Sequence, residues 1–577
     1  MNNQQLAGIF ERIANLLEIN GEVVYKTLAY RRAAESLRSY PREAEELYRE
    51  GKLTEIPGVG KAIAEKIEEL LTTGKLGFLE RLEQEVPPTL LELLEIPDVG
   101  PKKVALFWKQ AGITSLMDLE SAARDGHLRH LPGIGEKSEK RILAGIEALR
   151  RRSKRMLLGT VRPIGLRWLN WLRGLAGVGE AELAGSLRRW KSTIGDLDLV
   201  AAADDPSAVM DAFVHHPDVV RILAHGENKS SIELSNGLNV QLWLQPQEKF
   251  GSLLQFVTGS KDHNVRLREL AQRKGFSLSE HGLTTQDGQE HYFSNEKALY
   301  QALGLEWIPP ELREDRGEIQ AALEGRLPDL ITLSDLQAEL HSHSTWSDGA
   351  LSILDMARAA KARGLKMLAI TDHTHSLGIA NGLDAERLRE QRKEIDAAQA
   401  ELGNDFILLQ GAEVEIKADG SLDLPDEVLA ELDIVIASLH VSLRQPREEI
   451  TTRLLRAIRN PHVDIIGHPS GRLLPNREGA DLDWELILTA ACEENVALEI
   501  NANPSRLDLD EVHARRAVEL GILLSINTDA HSPADLELAE YGVSVARRAW
   551  VSAAQVLNTR SPTEIRRWLT GHRQKSG

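Results

Sequence analysis

The stretch Leu340-His341-Ser342-His343-Ser344-Thr345-Trp346-Ser347-Asp348-Gly349 decides how the C-terminal part of the chain is interpreted. A short apolar run ends in His-x-His, and Asp348 follows five residues after the second histidine. Two imidazoles and a carboxylate in one short turn of chain suit zinc, manganese or iron. A single His-x-His is a weak signal, because such pairs also arise by chance at protein surfaces.

The same pattern returns five times further along the chain. In each case a short β-type run ends in His, Asp or Glu, and a helix-type stretch follows. These segments are 368–373, 408–413, 435–440, 464–468 and 526–531. The alternation predicts a (β/α) barrel with ligands at the C-terminal ends of its strands, where such barrels carry their chemistry. Scattered core histidines are the alternative, and six converging strand ends disfavour it.

Residues from about 336 to 577 resemble a PHP domain, the polymerase and histidinol phosphatase family of metal hydrolases. The resemblance implies a distorted (β/α)7 barrel with a centre of up to three manganese or zinc ions. Glu339 stands where the family often has Asp, just before the first histidine. The implied metal ligands are His341, His343, Asp348, His373, Glu413, His440, His468, Asp529 and His531.

Length and composition set bounds on the rest of the chain. A chain of 577 residues predicts about three to five domains. The formal charge of −18 argues against a DNA binder held by bulk charge, but it allows local basic clusters. The single cysteine, Cys492, excludes a disulfide framework and a cysteine zinc site. No signal peptide and no membrane-spanning apolar run is evident, so we expect a cytoplasmic protein without membrane contact.

The N-terminal part repeats one short motif, apolar-Pro-x-apolar-Gly, at 56–61, 96–101 and 131–136. Its glycines bring backbone N–H groups near a helix N-terminus, which is a ready phosphate contact. The repeat resembles the helix-hairpin-helix of DNA repair proteins. A plain helix–helix turn would explain one copy better than three. The implied DNA contacts are at Gly58, Gly60, Gly133 and Gly135. Asp98 replaces the usual glycine in the middle copy and would repel phosphate, so we expect that copy to be structural.

A second constellation of chemical groups lies between residues 183 and 200. Gly185-Ser186 opens a segment with Arg189 in its first turn, and such a segment can cradle a triphosphate. Asp196 and Asp198 alternate on a predicted strand, so both carboxylates point to one face and suit Mg²⁺ or Mn²⁺. Together these residues resemble the nucleotidyltransferase palm of family X DNA polymerases.

The resemblance to family X polymerases extends to both sides of the palm. Phe256, Gly259 and Asn264 match the thumb segment that meets the sugar and base of the incoming nucleotide. Lys66 falls on the Schiff-base lysine of the N-terminal lyase domain, with Lys26 as a neighbouring cation that would favour this chemistry. A solvated helix lysine is the alternative interpretation of Lys66. Bacterial members of the family carry a C-terminal PHP domain, so the resemblance covers essentially the whole chain.

The palm departs from its family at the third metal-binding aspartate, where this chain has Gln241, with Trp243 in place of a usual arginine. A neutral amide neither completes the site of the catalytic metal nor helps to deprotonate the primer hydroxyl. We therefore expect the palm to retain nucleotide binding even if its polymerase catalysis is weakened. The alternative is that a carboxylate from another position replaces the missing metal ligand, for instance Glu233 on the preceding strand.

The sequence therefore predicts a multidomain α and α/β protein with helical helix-hairpin-helix domains, an α+β palm and a C-terminal PHP barrel. The expected divisions are a lyase-like domain at 1–85, a helix-hairpin-helix domain at 86–155, a palm at 156–248, a thumb at 249–325 and the PHP domain at 326–577.

The predicted function is DNA repair by a monomer. A metal-dependent 3′–5′ exonuclease and a weakened gap-filling polymerase would act on gapped or nicked DNA and DNA 3′ ends, using deoxynucleoside triphosphates. Two alternatives remain. One is a phosphatase acting on a small phosphomonoester, and the other is a non-catalytic scaffold that binds gapped DNA.

Overall fold

The computed structural model describes residues 1, 3–39, 44–56, 58–96, 99–152, 155–203, 205–377, 380–474, 477 and 479–574. The chain divides into two compact units, Met1–Lys154 and Arg155–Gly577. Within the described ranges, no helix is both long enough and apolar enough to cross a membrane. Asp98, which was expected to spoil the middle hairpin, lies outside the described residues.

The first unit is helical. Its core forms because apolar residues recur at helical spacing on α1, where Leu6, Phe10, Ile13 and Leu17 are buried. The α-helices are α1 (Asn3–Asn20), α2 (Val24–Ser39), α3 (Ala44–Arg49), α4 (Lys61–Thr73), α5 (Gly77–Glu85), α6 (Pro101–Ala111), α7 (Leu116–Arg124) and α8 (Glu136–Arg152).

The same backbone hydrogen bond closes each copy of the repeated motif in the first unit. A 3₁₀ helix precedes each copy, at Leu53–Glu55, Pro88–Glu95 and Leu128–His130, and an α-helix follows it. In each copy one backbone N–H closes the turn at 3.0 Å, from Val59 to Ile56, from Val99 to Ile96 and from Ile134 to Leu131. Gly58 and Gly133 adopt φ angles of 79° and 76°, which side chains rarely accept, so glycine is required there.

The second unit begins with an α+β region. Its five-stranded sheet has the order β2-β4-β7-β6-β5, in which β4 and β7 are parallel and the other pairs antiparallel. The elements are β1 (Met156–Leu157), α9 (Leu158–Arg173), β2 (Val178–Leu183), α10 (Gly185–Arg188), β3 (Thr193–Ile194), β4 (Asp196–Ala203), α11 (Pro206–Val214), β5 (Val219–His225), β6 (Lys229–Leu234) and β7 (Asn239–Gln245).

A small α+β region follows the sheet and carries the predicted thumb residues. Its helices surround a three-stranded sheet of order β10-β9-β8. The elements are α12 (Phe250–Thr258), α13 (Lys261–Arg273), β8 (Phe276–Ser279), β9 (Gly282–Thr285), β10 (Glu290–His291), α14 (Glu296–Ala302) and α15 (Glu318–Leu323).

The C-terminal region is a barrel of seven parallel strands in sequence order. The strands are β11 (Ala338–Ser342), β12 (Met367–Ile370), β13 (Ile407–Glu415), β14 (Ile434–Ser438), β15 (Ile465–Gly467), β16 (Ala497–Asn501) and β17 (Leu524–Asn527). The helices are α16 (Ile353–Ala362), α17 (Ala385–Leu402), α18 (Asp426–Leu429), α19 (Arg447–Ile458), α20 (Trp484–Glu494), α21 (Glu511–Glu519), α22 (Ala539–Arg548) and α23 (Pro562–Gln574).

The barrel closes where its first and last strands meet. The backbone N–H of His343 donates to Ala530 O at 2.8 Å, and the N–H of Ala530 donates to His341 O at 3.3 Å. The strands are buried on both faces, which explains why they read as continuous apolar runs in the sequence. The predicted fold class is confirmed.

The α+β sheet region and the barrel share one hydrophobic core. The close approach is visible at Gly159 in α9, where an added Cβ would lie 2.6 Å from Pro504 Cβ of the barrel. Since Pro504 follows β16, the sheet region packs beside the end of the barrel at which the predicted ligands lie.

Candidate metal centre and nucleotide pocket

The nine predicted metal ligands meet at the carboxyl ends of the barrel strands. Five of them, His341, His343, His373, Glu413 and His468, are buried, which is unusual for titratable side chains unless they are paired or bind a cation. The strands contribute His341 and His343 at β11, His373 after β12, Glu413 on β13, His440 after β14, His468 after β15, and Asp529 and His531 after β17, while Asp348 comes from the loop after β11.

Glu413 lies at the centre of the cluster, with five imidazoles around its carboxylate, of which His343 Nε2 is the most distant at 3.7 Å. Its Oε2 lies 2.8 Å from His373 Nδ1 and 3.4 Å from His341 Nε2. Its Oε1 lies 2.9 Å from His468 Nε2 and 3.3 Å from His440 Nε2. A carboxylate with histidines on both oxygens is suited to bridging two cations.

Two aspartates extend the cluster to either side of this carboxylate. Asp529 Oδ1 lies 3.0 Å from His343 Nε2 and 3.5 Å from His341 Nε2, and Asp348 Oδ1 lies 3.4 Å from His531 Nε2. Ligand atoms within 4.8 Å of one another form three overlapping groups: His343, Asp348, His373 and His531; His341, His343, Glu413 and Asp529; and His373, Glu413 and His440.

The donor atoms fit divalent cations. Among the described residues, His341 Nε2, His343 Nδ1 and Glu413 Oε2 are buried without a well-aligned hydrogen bond, although Glu413 Oε2 lies within ion-pair distance of three imidazoles. A buried polar atom without a hydrogen bond is costly, so three such atoms in one cluster favour a ligand that completes it. Imidazole nitrogens with carboxylate oxygens are the donor set preferred by zinc, manganese and iron.

Two buried glutamates orient the histidine rings, and neither was predicted from the sequence. Glu499 Oε1 lies 2.7 Å from His341 Nδ1, and Glu415 Oε2 lies 2.7 Å from His440 Nδ1. Each carboxylate fixes its ring so that Nε2 faces the centre. Glu415 follows Glu413 at strand spacing on β13, so the period of two residues was a usable signal.

The carboxylates and the burial shift the pKa values of the histidines in opposite directions. Burial disfavours the charged ring of His440, but Glu413 and Glu415 outweigh it and raise its pKa to about 10. Burial and the neighbouring ring of His373 lower the pKa of His343 to about 3. A metal ligand must be deprotonated, so cation binding at His440 has to displace a proton.

Glu339, the departure from the PHP pattern, joins the first strand to the loop after the last one. It accepts hydrogen bonds from the N–H of His341 at 3.0 Å and from Thr528 Oγ1 at 2.7 Å. Burial raises its pKa to about 7 despite these bonds. Thr528 precedes Asp529, so Glu339 positions the backbone that carries two of the predicted ligands.

A separate pocket of about 560 Å³ lies between the β4 sheet and the α12–α13 region. It collects the eight residues predicted to bind a nucleotide and its metal, together with three further basic residues, one before β1 and two on α13. The lining includes Gly185, Ser186, Arg189, Asp196, Asp198, Phe256, Gly259 and Asn264, with Arg155, Lys261 and Arg268. A pocket of this size with four cations suits a nucleoside triphosphate.

Asp198 and Gly185 make the closest approach in this pocket. Gly185 has φ of 57°, which other residues rarely adopt, and an added Cβ would lie 2.1 Å from Asp198 Oδ2. Both the backbone conformation and the lack of space therefore require glycine. Burial and the charge of Asp196 raise the pKa of Asp198 to about 7. A divalent cation would relieve the repulsion between two carboxylates held side by side, so the pair is suited to bind one.

Gln241 lies beside both aspartates, at the place predicted for the missing third carboxylate. It pairs with Asp198 across the parallel strands β4 and β7, and its Nε2 donates to Asp196 Oδ2 at 3.3 Å. Trp243 lies two pairs further along, opposite Val200, and the ammonium of Lys229 lies 3.8 Å from the centre of its ring.

Glu233, the alternative rescuing carboxylate, lies on β6 and is buried. Its Oε2 pairs with Arg221 Nη2 at 2.8 Å. β6 is separated from β4 by β7, so the carboxylate is one strand further from Asp196 than Gln241 is. This geometry does not favour a role for Glu233 in the pocket.

The predicted nucleotide contacts are themselves held by internal hydrogen bonds. Asn264 Nδ2 donates to Phe256 O at 2.8 Å, and its Oδ1 accepts from Gln255 at 2.7 Å. Arg189 Nε pairs with Glu314 at 3.0 Å, and its Nη1 donates to the carbonyl of Thr258. These bonds preorganise the wall of the pocket.

Lys66 and the hairpin glycines belong to the first unit. Lys66 is half-buried on α4, with Nζ 3.1 Å from Ala62 O and 5.1 Å from the centre of the Phe78 ring. Lys26, its predicted cationic neighbour, pairs with Glu22 at 3.2 Å. The charge of Lys26 is therefore partly neutralised by a residue that lies just before its own helix.

Four segments of the chain match described domain families. Residues 1–76 match a helix-hairpin-helix domain, and residues 90–148 match a SAM-like helix-hairpin-helix tandem. Residues 253–314 match a DNA polymerase beta thumb, and residues 339–503 match a PHP domain.

Full-length and partial relatives agree with these matches. Two proteins named "Probable phosphatase", from Thermoanaerobacter sp. (strain X514) and Caldanaerobacter subterraneus, are 34% and 32% identical over 254 residues. These matches cover 42% of this chain and 98% and 94% of the relatives. A Bacillus subtilis (strain 168) protein named "DNA polymerase/3′-5′ exonuclease PolX" is 39% identical over 572 residues, which is 99% of each chain. With helix-hairpin-helix, thumb and PHP domains in this order, the chain belongs to the bacterial family X DNA polymerases that carry a C-terminal PHP domain, the PolX family.

Proposed function

We propose that this protein is a DNA repair enzyme that degrades DNA 3′ ends at the barrel and binds deoxynucleoside triphosphates in the palm. The observation that carries the proposal is the convergence of nine His, Asp and Glu side chains at the mouth of the barrel, with buried donor atoms that lack a well-aligned hydrogen bond. The full-length relationship to a polymerase and 3′–5′ exonuclease supports DNA as the substrate.

The barrel residues would hold up to three Mn²⁺ or Zn²⁺ ions. When bound, such cations stabilise developing charge on a phosphate and provide a nucleophile at neutral pH. Glu413 faces five imidazoles and would therefore set the spacing between neighbouring cation sites. Glu415 and Glu499 hold the rings of His440 and His341, which keeps the donor nitrogens aimed inward.

In the palm, Asp196 and Asp198 would hold the Mg²⁺ or Mn²⁺ that accompanies a nucleotide. Gly185 and Ser186 line the same pocket, where the backbone approaches closely enough to bind phosphate. The amide of Gln241 donates to Asp196 rather than adding a negative charge. We therefore infer a polymerase that binds nucleotides well and incorporates them slowly.

A primed single-nucleotide gap tests the proposal directly, with Mn²⁺ or Mg²⁺ and with or without nucleotides. The wild-type protein should shorten the primer, and His341→Ala combined with His343→Ala should abolish shortening without changing DNA affinity. Asp196→Ala is the matched control, because it alters only the palm and should still degrade the primer. Unchanged degradation by the double variant would remove the nuclease from the barrel.

A phosphatase acting on a small phosphomonoester is the second candidate. It is favoured by the relatives named "Probable phosphatase", whose 254 matched residues approach the length of the predicted C-terminal domain. The three hairpins of the first unit favour DNA instead, since a small substrate has no need of them. Comparing turnover of p-nitrophenyl phosphate with that of a DNA 3′ end decides between the two.

We also propose a 5′-deoxyribose phosphate lyase in the first unit, with Lys66 as the Schiff-base amine. The lysine is half-buried and lies against Phe78, which shields one side of its ammonium from water. The hairpins at Gly58–Gly60 and Gly133–Gly135 would hold gapped or nicked DNA beside it. We further propose that the chain has five domains, with boundaries at about residues 85, 155, 248 and 325.

A further inference from the structure

Helix α22 of the barrel carries two neighbouring arginines that both reach residues outside the barrel. Arg547 Nε donates to Glu311 at 2.7 Å, and its Nη1 donates to Ile331 O at 2.9 Å. Arg548 Nη1 donates to Arg189 O at 2.6 Å, and its side chain is 2% exposed. Two adjacent arginines therefore hold the same interface, but only Arg548 reaches the nucleotide pocket.

Arg548 and the pocket arginine share one carboxylate. Glu314 Oε1 accepts from Arg189 Nε at 3.0 Å and from Arg548 Nη1 at 3.1 Å. Arg548 Nη2 donates to Glu511 of the barrel at 2.7 Å, which holds the guanidinium in place. The single oxygen of Glu314 thus lies between a palm cation and a barrel cation.

Positive charge exceeds negative charge in the network that Glu314 forms with Glu511. Lys191 lies 4.0 Å from Glu314 and 3.8 Å from Glu511, and Arg316 lies 3.7 Å from Glu511. Four cations, Arg189, Lys191, Arg316 and Arg548, therefore face two carboxylates, Glu314 and Glu511. Because Arg189 also lines the pocket beside Asp196 and Asp198, part of this positive charge lies where the phosphates of a nucleotide would bind.

The barrel also holds the turn that carries Arg189. The next residue, Trp190, has φ of 55°, a left-handed conformation that non-glycine residues seldom adopt. Its ring lies 3.9 Å from the guanidinium of Arg162 and 6.0 Å from the ring of Tyr541 in α22. Arg162 pairs with Glu540 at 3.2 Å. The barrel therefore constrains both the carbonyl of Arg189 and the ring that follows it.

We propose that Arg548 is a positioning residue for nucleotide binding, so that the PHP barrel completes the pocket of the palm. Arg548 shares Glu314 and so keeps the carboxylate from neutralising Arg189, whose cation stays available to the phosphates of a nucleoside triphosphate. Without Arg548, Glu314 would belong to Arg189 alone, and the left-handed turn would lose its anchor. This inference rests on the proposed binding of nucleotides in the palm.

The test measures the affinity of the full-length protein for dATP with Mg²⁺. Arg548→Ala should weaken dATP binding by about tenfold, since it removes charge-assisted hydrogen bonds. Arg547→Ala is the matched control, with the same helix and interface but no pocket contact, and its affinity should stay within about twofold of wild type. Both variants should degrade DNA 3′ ends at the wild-type rate.

Adding Glu314→Gln separates positioning from mere structural support. If Arg548 works by sharing the carboxylate, then Arg548→Ala combined with Glu314→Gln should regain most of the lost affinity. Support for the interface alone predicts that the double variant is worse than either single one. Glu314→Gln by itself should tighten dATP binding, because Arg189 loses its neutralising partner.

The outcomes distinguish this inference from the proposed function. A wild-type protein that binds no dATP removes the function proposed for the palm. A wild-type protein that binds dATP, with Arg548→Ala equal to it or with no rescue in the double variant, overturns the role of Arg548. If Arg548→Ala fails to fold, Glu314→Gln carries the test, and an unchanged or weaker dATP affinity overturns the inference.

Discussion

Gln241→Asp is expected to raise the rate of nucleotide incorporation. The new carboxylate would join Asp196 and Asp198, since Gln241 donates to Asp196 at 3.3 Å and pairs with Asp198 across the strands. Two carboxylates alone supply two negative charges for two divalent cations. The third supplies charge and can accept the proton of the primer hydroxyl. A tenfold increase in rate requires only about 1.4 kcal/mol from the barrier.

The same substitution should reduce stability when divalent cations are absent. Two unit charges at the strand spacing of about 4.8 Å repel by about 3 kcal/mol at an effective dielectric constant near 20. Asp196 is half-exposed, so solvent screening reduces this to about 1–2 kcal/mol. Mg²⁺ should restore the loss, so the thermal midpoint of the variant should rise more with Mg²⁺ than that of the wild type.

The assay follows primer extension on a gap in the background of His341→Ala and His343→Ala, so that products are not degraded. Gln241→Asn is the matched control, because it has the size of aspartate without its charge. A wild-type palm that extends primers briskly, together with an unchanged rate in Gln241→Asp, would refute the reasoning. Position 241 would then not be the place of the third carboxylate.

Four further outcomes are expected. Glu499→Gln should weaken metal binding by about 10- to 100-fold, because the ring of a metal ligand loses its carboxylate partner, and metal content after dialysis measures this. Gly60→Ala should weaken binding to gapped DNA at each salt concentration, whereas Gly100→Ala should not, although an added Cβ meets nothing within 4 Å at either position. Lys66→Ala should lose most borohydride trapping on a 5′-deoxyribose phosphate, and equal trapping would assign the amine elsewhere. Burial opposes ionisation of Glu511 but Arg548 outweighs it and lowers its pKa to about 2, so the pair stabilises the protein above about pH 4.5. That contribution, about 3 kcal/mol, should be lost as pH falls from about 4.5 to 2, and Glu511→Gln should flatten this part of the unfolding profile.

The barrel was predictable because its ligands follow apolar runs directly, as His373 does after β12. Parallel strands bring their carboxyl ends together, so residues that directly follow each strand in the sequence also lie close together in the structure. Glu499 escaped prediction because it lies inside β16, two residues before the end of the strand. Its role depends on the ring of His341, which is 158 residues away in the chain.

The contact between Arg548 of the barrel and Arg189 of the palm was not predictable from the local sequence pattern. Arg548 ends an ordinary amphipathic helix, and its partner Arg189 is 359 residues away. An arginine at the end of a helix usually meets solvent or the helix dipole. Only the packing of α22 against the turn after α10 reveals that this arginine is buried.

The continuous core between palm and barrel affects how this chain can be divided. Two residues of the barrel pack directly against the palm. Tyr541 contacts Trp190, and Pro504 contacts Gly159. A barrel cut free at about residue 325 would expose such side chains to water and favour aggregation. The nucleotide-binding and hydrolytic regions of this chain are therefore expected to be stable only together, and a barrel without the palm would need a polar face on α22.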